Sequence, residues 1–344
     1  MLLKKFDESK IRSILLISLS NLGDVILTFP VIDILKRDIP RAHLSVVVGP
    51  KAQPLLNGNP YIKKVYIFDK NRSGLQKLSW LISLQKKKFD LVVDLRNTAI
   101  PFLILARYRT PPQFGNFKTM HMKTKHLNRL RSILNFETES KRRYALFPSA
   151  SDVVYVDNIL REDMQFNKKF FVVAPGAANH IKRWTPQGFA GVCDQLMESL
   201  KVKIIFVGDQ HDIPIVNAIN QLMHHKALNL CAQTTLTQLA ELLRRATLVV
   251  TNDSAIMHMA SYLNIPIVAI FGPTDPKKYG PWSSQNFVVQ KRIFCSPCEK
   301  SGCRYHHECM NDIQPSEILN IVHQIYGSRH FLKTELDTKF YETI

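Results

Sequence analysis

Long apolar runs are missing from this 344-residue chain. None approaches the roughly 18 residues that a membrane-spanning helix needs, and the cleanest, such as PIVAIF at 266–271, are strand-sized. The N-terminal stretch MLLKKFDESKIRSILLISLSNLGD is basic and briefly apolar, yet it runs into Asp24 without a small-residue cleavage site. The expectation is a cytoplasmic protein. Several fingerprints are missing as well. No Gly-x-Gly-x-x-Gly follows a strand pattern, no Walker lysine loop occurs, and there is no Gly-x-Ser-x-Gly elbow. These absences count against a dehydrogenase, a P-loop phosphotransferase and a nucleophile-elbow hydrolase. No repeat of solenoid period and no low-complexity segment interrupts the chain.

Acidic residues are also scarce, 28 against 46 Lys and Arg, for a net charge of +18. The imbalance is local. Residues 1–170 hold 30 cations and 14 acids (+16), whereas residues 171–344 hold 16 and 14 (+2). The densest part, RYRTPPQFGNFKTMHMKTKHLNRLRS with KRRY after it, mixes basic residues with Phe, Met, Leu and Tyr. Such a surface attracts polyanions: nucleic acid, anionic headgroups or a phosphorylated substrate.

What the chain does contain is a repeated βα rhythm. RSILLIS, HLSVVVG, KVYIF and DLVVDL in the first half, then KFFVVAPG, KIIFVG, TLVVTN and IPIVAIFG in the second, are near-continuous apolar strands. Helical periods such as VILTFPVIDILKRD and TPQGFAGVCDQLMESL separate them. That pattern predicts parallel sheets covered on both faces, run through twice, with a break between 148 and 170. Thr235 and Gln238 form a capping box before an amphipathic helix.

Ligands of parallel sheets collect beyond the carboxyl ends of the strands. The loops there are SLSNLGD, APGAANHIKRW, VGDQHD, TNDSAIMH and FGPTDPKKYGPW. In the fourth, Asn252, Asp253 or Ser254 can cap a helix whose free amides would attract a diphosphate. In the second, Lys182 and Arg183 follow a glycine turn, as suits a diphosphate leaving group. Asp24 stands where an apolar strand gives way to an apolar-faced helix, a place that suits a helix cap. Four of the six cysteines, Cys295, Cys298, Cys303 and Cys309, have the spacing C-x2-C-x4-C-x5-C. This leaves open a tetrahedral Zn or Fe, reduced packed thiols, or a redox-dependent disulfide.

Taken together, SLSNLGDVILTFPVIDIL, APGAANHIKRWTPQGFAGVCDQL and TNDSAIMHMASYLNIPIVAIFGPTDPKKYGPW resemble, in order, the three signature segments of the ADP-heptose:lipopolysaccharide heptosyltransferases, glycosyltransferase family 9. The resemblance implies a GT-B fold, an α/β architecture of two Rossmann-like domains facing across a cleft. Residues 1–163 would bind acceptor, 164–327 the nucleotide-sugar, and 328–344 would pack back on the first domain. It implies an inverting transfer of heptose from ADP-heptose to the lipopolysaccharide inner core, Kdo-lipid A or a heptosylated form. Asp24 would be the general base, in a loop with Leu22 and Gly23. Lys182, Gln210, Asp253, Ser254, Ala255, Ile256 and His258 would bind the donor. Gln210 stands where some members have a glutamate.

On this reading the transfer needs no cofactor, and nucleic acid is not an expected partner. The segment 107–143 would face the anionic inner-membrane surface. Another nucleotide-sugar or a protein acceptor would fit the same fold, and a non-catalytic polyanion-binding protein is the remote alternative.

Overall fold

The computed structural model describes residues 6–18, 21–113, 119–164 and 169–327; the segment 328–344 lies outside them. Strands β1 (Ser13–Ile17), β2 (His43–Val48), β3 (Ile62–Ile67), β4 (Phe89–Asp94) and β5 (Ala106–Arg109) form one sheet in the order β3-β2-β1-β4-β5. Every neighbouring pair is parallel. A second all-parallel sheet joins β6 (Phe170–Ala174), β7 (Lys203–Phe206), β8 (Leu228–Asn229), β9 (Leu248–Asn252), β10 (Ile267–Phe271) and β11 (Asn286–Gln290) in the order β11-β10-β9-β6-β7-β8. Both orders reverse direction beside the first strand of their sheet, between β1 and β4 and between β6 and β9. These are the switch points where a crevice opens above the strand ends.

Alternation along β1 sorts the core. Ile14 and Leu16 join an apolar cluster that continues into the second unit, reaching Val172, Val249 and Tyr262. Leu15 and Ile17 face the other way, into a smaller cluster with Leu84, Ile100 and Ile104. Three strands escaped the sequence reading. β5 carries charges, β8 has only two residues, and β11 is mostly half-buried.

The segment VILTFPVIDILKRD is two helices, Leu22–Ile26 and Phe29–Asp38. Pro30 lacks the N–H that would reach back to Ile26, and Thr28 closes the first helix by donating to the Val25 carbonyl at 2.6 Å. Asp24 therefore sits inside a first turn and caps neither helix. The Thr235 capping box forms, with both reciprocal bonds.

The stretch between the sheets is a helix, Ala150–Met164, that packs on Leu236–Arg245 of the second unit. Tyr155 donates to the Gln233 carbonyl, and Arg245 bridges Asp157 and Glu241. The basic segment 107–143 is partly embedded. His126, Leu127, Arg129 and Leu130 of helix Met122–Arg131 are buried, Arg129 donates to the Asp94 carbonyl, and Lys123 pairs with Glu139.

Candidate active site

The loop after β1 carries Asp24, half-buried at the mouth of the first crevice. Its neighbour Gly23 meets the second unit. A Cβ there would stand 2.9 Å from His258 Cδ2, so only glycine permits this approach without a shift. Leu22, Ala255 and Ile256 pack on the same apolar cluster. Helix Leu22–Ile26, which carries Asp24, thus touches the helix Ala255–Tyr262. Across the opening, Tyr279 has its pKa raised by burial first and by the charge of Asp24 second, while Arg96 after β4 pulls it down. Asp24, Arg96 and Tyr279 therefore share one electrostatic neighbourhood.

The second crevice is built more tightly. Ser254 caps helix Ala255–Tyr262, accepting from the Met257 amide at 3.4 Å, which leaves the first-turn amides of Ala255 and Ile256 outside the intrahelical pattern. Lys182 ends a short turn after β6 and pairs with Asp253 at 2.7 Å, the lysine a third exposed and the aspartate 7%. Cation, carboxylate and helix start thus converge above β6 and β9. Arg183, a candidate phosphate partner by sequence, instead donates twice to the Ala177 carbonyl, at 2.8 and 3.0 Å, and fixes its own loop.

His258 is buried between the two units. Its ring stacks on Trp282 at 5.6 Å, and Nδ1 has no hydrogen-bond partner among the described residues. Burial pushes its pKa down to about 4, against the pull of Asp253, so the imidazole is neutral at pH 7 and adds no charge to an anion. His121, which caps helix Met122–Arg131 in the first unit, completes this contact. It bonds the Gly280 carbonyl at 2.9 Å and lies edge-on to Trp282.

Gln210 opens a one-turn helix after β7 and is exposed. Behind it stands a residue the sequence reading passed over, Asp212. Its carboxylate accepts the Asp209 amide at 3.0 Å and fills the space between two glycines. A Cβ on Gly176 would fall 2.2 Å from Asp212 Cγ, and one on Gly208 would fall 2.7 Å from Asp212 Cβ. Burial raises the Asp212 pKa. Asn252, a cap candidate by sequence, leaves that place to Ser254 and has another. Fully buried, it donates to the Pro175 carbonyl at 2.7 Å and accepts from the Trp184 amide at 3.2 Å, tying the loop after β6 to the end of β9.

A second missed group is Asp33, in the middle of helix Phe29–Asp38. It is fully buried and accepts from Tyr144 N at 2.6 Å, Ala145 N at 3.1 Å and Tyr262 Oη at 2.9 Å. Arg143 lies 3.8 Å away and its guanidinium covers the Tyr262 ring. Helix Ala255–Tyr262 is therefore held to the first unit at both ends, near Gly23 and at Asp33.

Cys295, Cys298, Cys303 and Cys309 line one pocket of about 210 Å³ together with His307 and Ile181. Burial, then the charges of the other three, push the Cys309 thiol up to about 11. Among the described residues no three ligating side chains stand close enough together to hold a metal ion. The loop has a mechanical place instead. Asn179, which caps the turn bearing Lys182, donates to the Ser301 carbonyl at 2.9 Å, and Lys278 pairs with Glu299 at 2.7 Å.

Comparison with known proteins agrees with this geometry. The chain is 26% identical over 321 residues to lipooligosaccharide heptosyltransferase 2 of Campylobacter jejuni, covering 90% of this chain and 97% of that one. Its fold matches a glycosyltransferase of family 9 from Veillonella parvula with a TM-score of 0.79, at 22% identity, over 94% of this chain and all of that one. It also matches the ADP-heptose lipopolysaccharide heptosyltransferase II of Escherichia coli with a TM-score of 0.73, at 21% identity, over 91% and 98% of the two chains. The sequence pattern of the family, glycosyltransferase family 9 (heptosyltransferase), spans residues 80–308, and the chain is a glycosyltransferase that belongs to it.

Proposed function

We propose that the enzyme transfers heptose from ADP-heptose to the lipopolysaccharide inner core, with inversion at the anomeric carbon. The observation that carries this reading is the approach of Gly23 to His258, which sets a carboxylate of the first unit beside the helix start of the second. The acceptor hydroxyl would attack the anomeric carbon as Asp24 takes its proton, and the bond to the diphosphate oxygen would break on the opposite face. Lys182 and the amides of Ser254, Ala255 and Ile256 would receive the charge that develops on ADP. Asp253 would then exchange its bond with Lys182 for donor sugar hydroxyls, and Gln210 would lie toward the nucleoside.

On this reading Lys182 and the helix amides hold the leaving group, and the transfer asks for no metal or other cofactor. Residues 1–163 would serve acceptor binding and 164–327 donor binding, with the enzyme working peripherally at the anionic cytoplasmic face of the inner membrane. A nucleic acid would not be a partner. The test is a panel of ADP- and UDP-sugars offered with Kdo-lipid A, following nucleotide release and acceptor mass together. A heptose-sized mass gain with ADP-heptose alone is the expected result. Transfer from another donor, or to another acceptor only, would replace this reading with the same chemistry on different substrates.

A further inference from the structure

Helix Gly74–Gln85 is apolar on both sides. Trp80, Leu81 and Leu84 turn inward to the cluster around Phe89, Ile100 and Ile104. On the outside Leu75, Leu78 and Ile82 are 81%, 54% and 47% exposed. Spacings of three and four align these three along one stripe. A surface helix ordinarily gives its outer face to polar residues, and a contiguous exposed apolar patch marks a binding face. The stripe continues sideways. The helix touches Ile100–Leu103, beside which Phe102, Leu103 and Leu105 are 57%, 53% and 75% exposed.

The charge around the stripe selects its partner. Between residues 70 and 88 there are six cations, Lys70, Arg72, Lys77, Lys86, Lys87 and Lys88, and no Asp or Glu. All but the half-buried Lys77 are exposed. An apolar stripe flanked at both ends by exposed cations suits a surface that offers acyl chains beneath negative headgroups. No helix among the described residues is long and apolar enough to cross a membrane, so this element would lie flat.

We propose that helix Gly74–Gln85 with the adjoining segment 102–105 is the face by which the enzyme rests on an anionic phospholipid bilayer. The inference rests on the reading of the acceptor as lipid-anchored and moves the contact away from 107–143. There Arg129, Lys123 and Arg143 are engaged within the molecule.

The test is co-sedimentation of the full chain with vesicles of phosphatidylcholine alone and of phosphatidylcholine with phosphatidylglycerol. Wild type should bind only the anionic vesicles and leave them as salt rises. The triple variant Leu75→Ser, Leu78→Ser, Ile82→Ser should bind at least ~10-fold more weakly. The variant Lys86→Glu, Lys87→Glu, Lys88→Glu should lose binding to a similar degree. Both should keep the wild-type circular dichroism and wild-type transfer to a deacylated, water-soluble acceptor. Absent binding by wild type, equal binding to neutral vesicles, or unchanged binding by either variant overturns the proposal. Wild-type enzyme inert on both acceptors would instead sink the heptosyl-transfer reading, and the vesicle result would still decide the surface.

Discussion

The two Rossmann-like units share a topology and differ in how their crevices are finished. The first, residues 1–163, carries +14 of the net charge, one half-buried carboxylate at its switch point and an exposed apolar helix. The second is nearly neutral, and its loops are knitted by Asn252, Arg183, Asp212 and the Ser254 cap. On the proposed function the difference would follow from what each side holds. A large anionic acceptor would be gathered by a field acting over a Debye length, whereas a departing diphosphate would need donors already in place. The contact of Gly23 with His258 and the bond from Tyr262 to Asp33 join the two designs.

The largest expected effect breaks the first unit alone. Asp24→Asn should lower kcat by about 10²- to 10⁴-fold, the range for a lost general base, measured by ADP release. Next is the seam between the units. Gly23→Ala places a methyl 2.9 Å from the His258 ring and should cost roughly 10- to 100-fold in kcat, because displacements of about 1 Å have such effects. The melting temperature should stay near wild type. In the second unit, Gly176→Ala forces a methyl into the Asp212 carboxylate and should destabilise by about 1–3 kcal/mol, read by denaturant unfolding.

The smallest effect concerns Asp33. Burial raises its pKa to about 7, with Arg143 pulling the other way, above the value of 3.8 it has when exposed. A raised carboxyl binds more protons folded than unfolded, so its share of stability is complete below about pH 4 and lost as pH climbs through about 7. The stability of wild type relative to Asp33→Asn should therefore fall between those limits. A flat difference across that range would show that the carboxyl does not titrate there.

Most of the strands and the repeated sheet were legible because buried parallel strands are written as unbroken apolar runs. β8 and β11 were not, being short or half-exposed. The site was legible where a loop residue had no core role, as with Asp24, Lys182 and Ser254. It was illegible where a polar residue hides in an apolar run. Asp33 lies within FPVIDIL, where periodicity gives its neighbours weight and this residue none; Asn252, ending LVVTN, reads as a helix cap and not as the tie between two loops that it is. The partners that make them useful, Tyr262 and Pro175, are 229 and 77 residues away. For the cysteines the spacing places all four on one pocket, as the structure has them, and leaves their chemistry open.

The central claim is that the first unit supplies the base and the second holds the leaving group. Titration of ADP into Asp24→Asn and Lys182→Ala, side by side in a calorimeter, tests it most directly. The account predicts wild-type affinity for Asp24→Asn and a dissociation constant roughly tenfold higher for Lys182→Ala, the loss of one charge-assisted contact. Weakened ADP binding by Asp24→Asn with Lys182→Ala unchanged would contradict it.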